Sequence, residues 1–188
     1  MRIQQRLSRR TVLCGLVAGA FACALPVGAA IPNAGQYTDP NGRFQIGVPP
    51  NWVVHYSATT PDVTRWEVPG VAGSFSVYRS DLPANVWLGA FADTWIATFV
   101  AIRPGYRQIE RTIQSTQCGA YFVGCQGQWA VLDYTTDDGG PGDPALRGRI
   151  AFLASDSNVW MLELALDPVA FPQYLDTFDT ILNSFTLT

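Results

Sequence analysis

The chain of 188 residues contains no lysine and a single histidine, His55. All 12 of its basic residues are arginine, a compositional bias to which no function attaches. One histidine is too few for a histidine-built metal cluster, and no cysteine or acid pattern completes a zinc site. A Ser-His-Asp hydrolase would have to use His55, with Ser57 two residues along the same strand. Nothing around the pair resembles a nucleophile elbow, so a surface histidine on a strand is the expectation. Asp137, Asp138 and Asp143 do not follow the EF-hand spacing and read as a solvated hairpin loop. No glycine-rich phosphate loop joins a strand to a helix. No metal, no cofactor and no catalytic residue are therefore expected. No run beyond residue 30 reaches the roughly 18 apolar residues that a membrane-spanning helix needs.

The N-terminus holds what the rest lacks. Arg2, Arg6, Arg9 and Arg10 precede a glycine- and alanine-rich apolar segment at residues 11–25, and Pro26, Gly28, Ala29 and Ala30 follow. Basic, apolar and small-residue regions in that order are a signal peptide, expected at residues 1–30. Ser8-Arg9-Arg10-Thr11-Val12-Leu13 resembles a twin-arginine export motif, with Val12 where phenylalanine is preferred. Ala20-Phe21-Ala22-Cys23 is a poor lipoprotein box, because alanine stands where leucine is wanted. A lipid anchor on Cys23 is the weaker expectation. Residues 31–188 form one domain-sized unit with eight arginines against 15 acids, a formal charge of −7. Nucleic acid and anionic membrane surfaces are poor partners for that charge. The expected location is outside the cytoplasm, in the periplasm, the cell envelope or the medium.

Four cysteines are present, two of them in the leader. Cys118 and Cys125 are left, and in an exported protein an isolated pair reads as a disulfide. Its short loop is worth on the order of 2 kcal/mol by loop entropy.

The longest alternating apolar run is Val159-Trp160-Met161-Leu162-Glu163-Leu164-Ala165-Leu166. Trp160, Leu162, Leu164 and Leu166 share one face, and Glu163 marks the other as wetter, which predicts a strand of an antiparallel sheet. Asp39-Pro40-Asn41-Gly42 is a turn, followed by strands around residues 44–48, 52–58, 64–68 and 74–78. Trp87, Phe91, Trp95, Phe99 and Ile102 give one helical stripe over residues 83–102, closed by Pro104-Gly105. Residues 106–117 return to alternation, with Ile109 and Ile113 inward. Further strands follow at 126–136, 149–154 and 159–166, and a final helix carries Tyr174, Leu175, Phe178, Ile181 and Leu182. The expectation is α+β: one antiparallel sheet of about seven or eight strands under two main helices, in the order ββββ-α-ββββ-α.

Phe44-Gln45-Ile46-Gly47-Val48-Pro49-Pro50-Asn51-Trp52 resembles the opening of PsbP-like domains, hydrophobic positions followed by a proline and a tryptophan. Phe178-x-x-Ile181-Leu182-x-Ser184-Phe185 resembles that superfamily's closing helix and short strand. The superfamily includes extrinsic photosystem II proteins, a Ran-binding import factor and exported LpqN-type lipoproteins. The resemblance spans residues 31–188 and implies helices packed on an antiparallel sheet, a role in binding or assembly, and no catalytic residue.

Alternation places Phe44, Ile46, Tyr56, Trp66, Val68, Phe75, Val77 and Ile109 on a core face. The opposite face collects Gln45, His55, Arg65, Glu67, Tyr78, Glu110 and Thr112. Charges interleaved with an aromatic suit a recognition surface, so His55, Arg65, Glu67, Tyr78 and Glu110 are the candidate partner- or ligand-binding residues. Three functions stay open: an exported non-catalytic binding or accessory protein acting on a protein partner, a carrier of a small apolar ligand between helix and sheet, and a hydrolase using His55.

Overall fold

The structure, a computed structural model, describes residues 35–57, 59–60, 62–102, 105–114, 129–136, 145–155 and 157–188. The expected leader, Cys118 and Cys125 of the expected disulfide, and Asp137, Asp138 and Asp143 lie outside the described residues. Five strands come first: β1 (Gly35–Thr38), β2 (Phe44–Val48), β3 (Val53–Tyr56), β4 (Val63–Glu67) and β5 (Gly73–Asp81). Helix α1 (Leu88–Ile102) follows, then β6 (Arg107–Gln114), β7 (Trp129–Thr136), β8 (Leu146–Ser155) and β9 (Asn158–Leu166). A 3-10 turn at Phe171–Tyr174 leads into α2 (Leu175–Ser184) and β10 (Thr186–Leu187). The α+β, antiparallel architecture is the expected one, but the expected single sheet is two. Seven strands in the order β3-β4-β5-β9-β8-β7-β6 make the main sheet, and β1-β2-β10 make a small one.

The β8–β9 hairpin and its neighbour β5 form the middle of the main sheet, and every residue of β9 after Asn158 is buried. Helices explain why. On one face Trp160, Leu162, Leu164 and Leu166 meet Phe178, Ile181 and Leu182 of α2 and Phe44, Ile46 and Val48 of the small sheet. On the other, Val159, Met161 and Ala165 meet Leu88, Ala92 and Phe99 of α1. The wetter face expected from Glu163 is thus a second core. Trp52, Trp66 and Trp160 are buried core residues.

Three further expectations are corrected. Trp87 is 55% exposed, because α1 starts at Leu88 and not at residue 83, and its inward row is Leu88, Ala92, Trp95 and Phe99. Tyr56 is exposed, because β3 is the outermost strand of the main sheet, and its hydroxyl accepts a hydrogen bond from Asn41 Nδ2 at 3.1 Å. Ile109 is 51% exposed, because it is the extra residue of a β-bulge between Gln108, which faces Tyr134, and Glu110, which faces Asp133.

The small sheet is fastened by the turn that the sequence announced. Asp39 is buried and accepts from Arg43 Nε at 2.8 Å, Arg43 Nη2 at 2.9 Å, and the backbone N–H groups of Asn41 and Arg43. Gly42, at φ 64°, completes the turn. Arg43 Nη1 then reaches Asp62 Oδ1 at 2.9 Å, and Arg79 Nη1 of β5 reaches the same oxygen at 3.2 Å, tying the small sheet to the main one. Burial pushes the Asp39 carboxyl up, but hydrogen bonds and charge from Arg43 outweigh it and hold it below its ordinary value.

Two outcomes follow from these contacts. Protons bind Asp39 in the unfolded chain before the folded one. Its contribution is therefore complete above the ordinary aspartate range and lost as pH falls through the depressed folded value. Asp39→Asn should cost about 2 kcal/mol in urea denaturation at neutral pH, and the difference from wild type should shrink toward acid pH. At β8, a Cβ on Gly148 would lie 2.3 Å from the ring of Tyr134, which is pinned at its far end. Gly148→Ala should lower stability by about 1–3 kcal/mol, measured by thermal and urea unfolding.

Candidate functional site

Cross-strand register lays out the candidate residues as rows over the main sheet. His55 faces Arg65, Arg65 faces Ser76, Ser76 faces Glu163, and the row continues through Ile150 and Leu132 to Arg111. This row runs over the α1 side. Its inner part, from Ser76 through Leu132, is buried, and its outer part, at His55 and Arg65, is open to solvent. In the next row Glu67 lies opposite Val53. His55 Nε2 and Glu67 Oε2 are 3.5 Å apart, with both side chains more than half exposed. Such a pair is worth no more than about 1 kcal/mol. The Ser57 hydroxyl is hydrogen-bonded to that of Thr59 at 2.8 Å. Serine and histidine of the imagined hydrolase thus have other partners, and the acid beside His55 is on the surface.

Tyr78 forms the inner margin of this open ledge. Half-buried on β5, it donates its O–H to Glu163 Oε2 at 3.0 Å. Tyr134 of β7 donates to Glu163 Oε1 at 2.5 Å. The Tyr134 ring reaches Glu163 by crossing β8 above Gly148, where no side chain stands. It is packed by the Phe99 ring at 5.3 Å and the Tyr106 ring at 5.6 Å. Glu163 is only 4% exposed, so its carboxylate is an acceptor served by phenols rather than by water. Arg111 of β6 pairs with Asp93 and donates to the Gly89 carbonyl at 3.1 Å, fixing the first turns of α1.

Glu110 parts from the group. The bulge at Ile109 inverts the parity of β6, so Glu110 falls opposite Asp133, on the α2 side. There Asp133 accepts two hydrogen bonds from Arg149, at 2.7 and 2.9 Å, and Arg149 Nη1 lies 3.7 Å from Asp179 Oδ1 of α2. The bonded Asp133 carboxylate raises the Arg149 guanidinium above its ordinary value. Burial raises the Asp179 carboxyl, although Arg149 opposes the shift. The structure brings His55, Arg65, Glu67 and Tyr78 to one face and leaves Glu110 on the other. Sequence reasoning missed Glu163 as a site residue; an acid alone in an apolar strand was its only signal.

No group of three or more His, Cys, Asp or Glu side chains among the described residues is placed to hold a metal ion. No helix among them is long and apolar enough to cross a membrane. No family model matches the chain, and no curated protein matches it by sequence. Its fold, by contrast, is that of PsbP-like proteins. Cyanobacterial PsbP (CyanoP) from Synechocystis sp. PCC 6803 superposes with a TM-score of 0.60 at 15% identity, covering 86% of this chain and 96% of that one. PA94 of Pseudomonas aeruginosa, a protein of unknown function, gives 0.54 at 15% identity, covering 80% and 94%. The Ran-binding protein Mog1p of Saccharomyces cerevisiae gives 0.50 at 12% identity, covering 81% and 94%.

The buried carboxylate can be tested by removing one donor. Tyr134→Phe should cost about 1.5–3 kcal/mol, the range for a hydrogen bond to a charged group. Tyr78→Phe should cost less, because its hydroxyl sits nearer to solvent. Urea denaturation of the two variants checks the order; a neutral Tyr134→Phe means that Glu163 is satisfied some other way.

Proposed function

We propose that the chain is an exported, non-catalytic binding or accessory protein, and that its protein partner reads the open end of the main sheet at Val53, His55, Arg65 and Glu67. The observation that carries this is β3. Among the described residues it is an edge strand of the main sheet, all four of its residues are exposed, and on the α1 side it sets Val53 and His55 beside the opposite charges of Arg65 and Glu67. An apolar side chain flanked by opposite charges suits a recognition surface. Tyr78 borders this surface from inside, held by Glu163. The fold shared with CyanoP and with the Ran-binding Mog1p supports a binding role. Export rests on the basic, apolar and small-residue order of residues 1–30, which leaves residues 31–188 as the mature domain. A disulfide between Cys118 and Cys125 fits the same oxidising destination.

The test is capture from the exported fraction of the native host with immobilised protein. A partner held by wild type should be lost, or reduced at least about tenfold, by the joint charge reversal Arg65→Glu and Glu67→Arg. Glu110→Arg, on the opposite face, should capture it as wild type does. Equal capture by the ledge variant, with unchanged melting temperature, removes this face from the function.

A further inference from the structure

The backbone of β3 has a capacity that its side chains do not disclose. Among the described residues β3 pairs with β4 and with no other strand, in unbroken register from Val53 opposite Glu67 to Tyr56 opposite Thr64. In an antiparallel ladder, alternate residues turn their N–H and C=O groups toward a given neighbour. One alternate pair of β3, either Val53 and His55 or Val54 and Tyr56, therefore turns its backbone groups away from β4. Water serves them singly, whereas an extended chain serves them together at the spacing they already have. The usual obstacles to such pairing are absent. The strand has no bulge and no proline, and its one imidazole lies on the sheet face beside Glu67. Val53 and Val54 are 53% and 42% exposed, on opposite faces of the sheet, so an added strand meets an apolar neighbour on each side. Turns close both ends. The Trp52 N–H donates to the Pro49 carbonyl at 3.0 Å, and the Thr60 N–H donates to the Ser57 carbonyl at 3.2 Å. The open edge is thus the length of four residues, about 13 Å at the rise of a strand. That is a contact for one extended segment, and it falls far short of the roughly 1,200 Å² or more that holds two whole proteins together.

We propose that the protein partner binds by strand addition: an extended segment of it pairs with the outer edge of β3 and becomes an eighth strand of the main sheet. The backbone sets the class of ligand, an extended peptide with free N–H groups at alternate positions. Side chains set the preference within that class. Branched apolar residues suit the positions opposite Val54 and Tyr56. On the α1 side, an acid opposite His55 stands in line with Arg65, and a base opposite Val53 stands in line with Glu67. In an antiparallel segment the acid comes first and the base two residues later. This mode of binding deepens the reading of the β3 end as the partner's surface and rests on it.

The experiment is NMR on the isotope-labelled full chain with the capped hexapeptide TVEVRT, whose central four residues follow that pattern. In the protein alone, amide hydrogen exchange should alternate along β3, one pair exchanging at least about tenfold faster than the other. Saturating peptide, at about millimolar concentration, should slow the fast pair by about tenfold. Two doubly N-methylated peptides, one modified at both valines and one at the glutamate and the arginine, complete the set. One of them should lose binding and the other should bind within about twofold of the parent, because only alternate N–H groups face β3. Strand addition is overturned by absent binding at about 10 mM peptide, by equal effects of the two methylated peptides, or by β3 amides that the bound peptide does not slow. It is also overturned if all β3 amides are slow in the protein alone and sedimentation shows a dimer, since a second copy then occupies the edge. The peptide arms judge the edge, and capture by the charge-reversed ledge variant judges the partner reading, so either can fail while the other stands.

Discussion

The carboxylate of Glu163 sets the terms for the rest of the structure. A sheet covered by helices on both faces has no dry-and-wet alternation to exploit, so a charge in its middle strand must be satisfied from within. Removing a carboxylate from water costs several kcal/mol even after relaxation. Two phenols meet that cost here, one from β5 and one from β7. The β7 phenol can reach β9 only by passing over the strand between them, and Gly148 leaves the gap it passes through. A glycine, an acid and two tyrosines from four strands thus form one clasp under α1.

Two helices cannot cover seven strands, and the uncovered ends are handled differently. At β6 the outer edge has a bulge and the charges of Arg107, Glu110 and Arg111, features that discourage pairing with another chain. At β3 the edge is Val53-Val54-His55-Tyr56, without bulge, proline or fixed charge within the strand. Its charges come from β4 behind it. That asymmetry supports the proposal that a partner is read at the β3 end rather than at the β6 end.

Much of this was legible in the residues. Asp39-Pro40-Asn41-Gly42 announced its turn, because an aspartate with an Asn-Gly pair can bond its own backbone, and the structure shows those bonds. The run from Val159 to Leu166 announced a strand, and Phe178, Ile181 and Leu182 announced the buried stripe of α2. What period alone could not show was what lies above a face. Alternation around Glu163 is the same whether water or α1 covers it. Nor does period survive a bulge: one added residue at Ile109 moved Glu110 across the sheet. The strands β1 and β10 have four and two residues, too few to display any period. They exist because β2 offers an edge on each side.

The turn at Asp39 also joins the small sheet to the ledge strands. From it, Asn41 reaches the hydroxyl of Tyr56 on β3, and Arg43 reaches Asp62 just before β4. Asp62 in turn accepts the backbone N–H of Arg79 at 2.9 Å. That backbone bond holds the start of β4 against β5 whatever the Asp62 side chain does. Loss of the half-exposed side-chain pairs at Asp62 releases no more than about 1 kcal/mol each. Asp39, Arg43, Asp62 and Arg79 thus form one charged chain between the two sheets, laid over a backbone that is already paired, so the charges tune the junction and do not hold it alone.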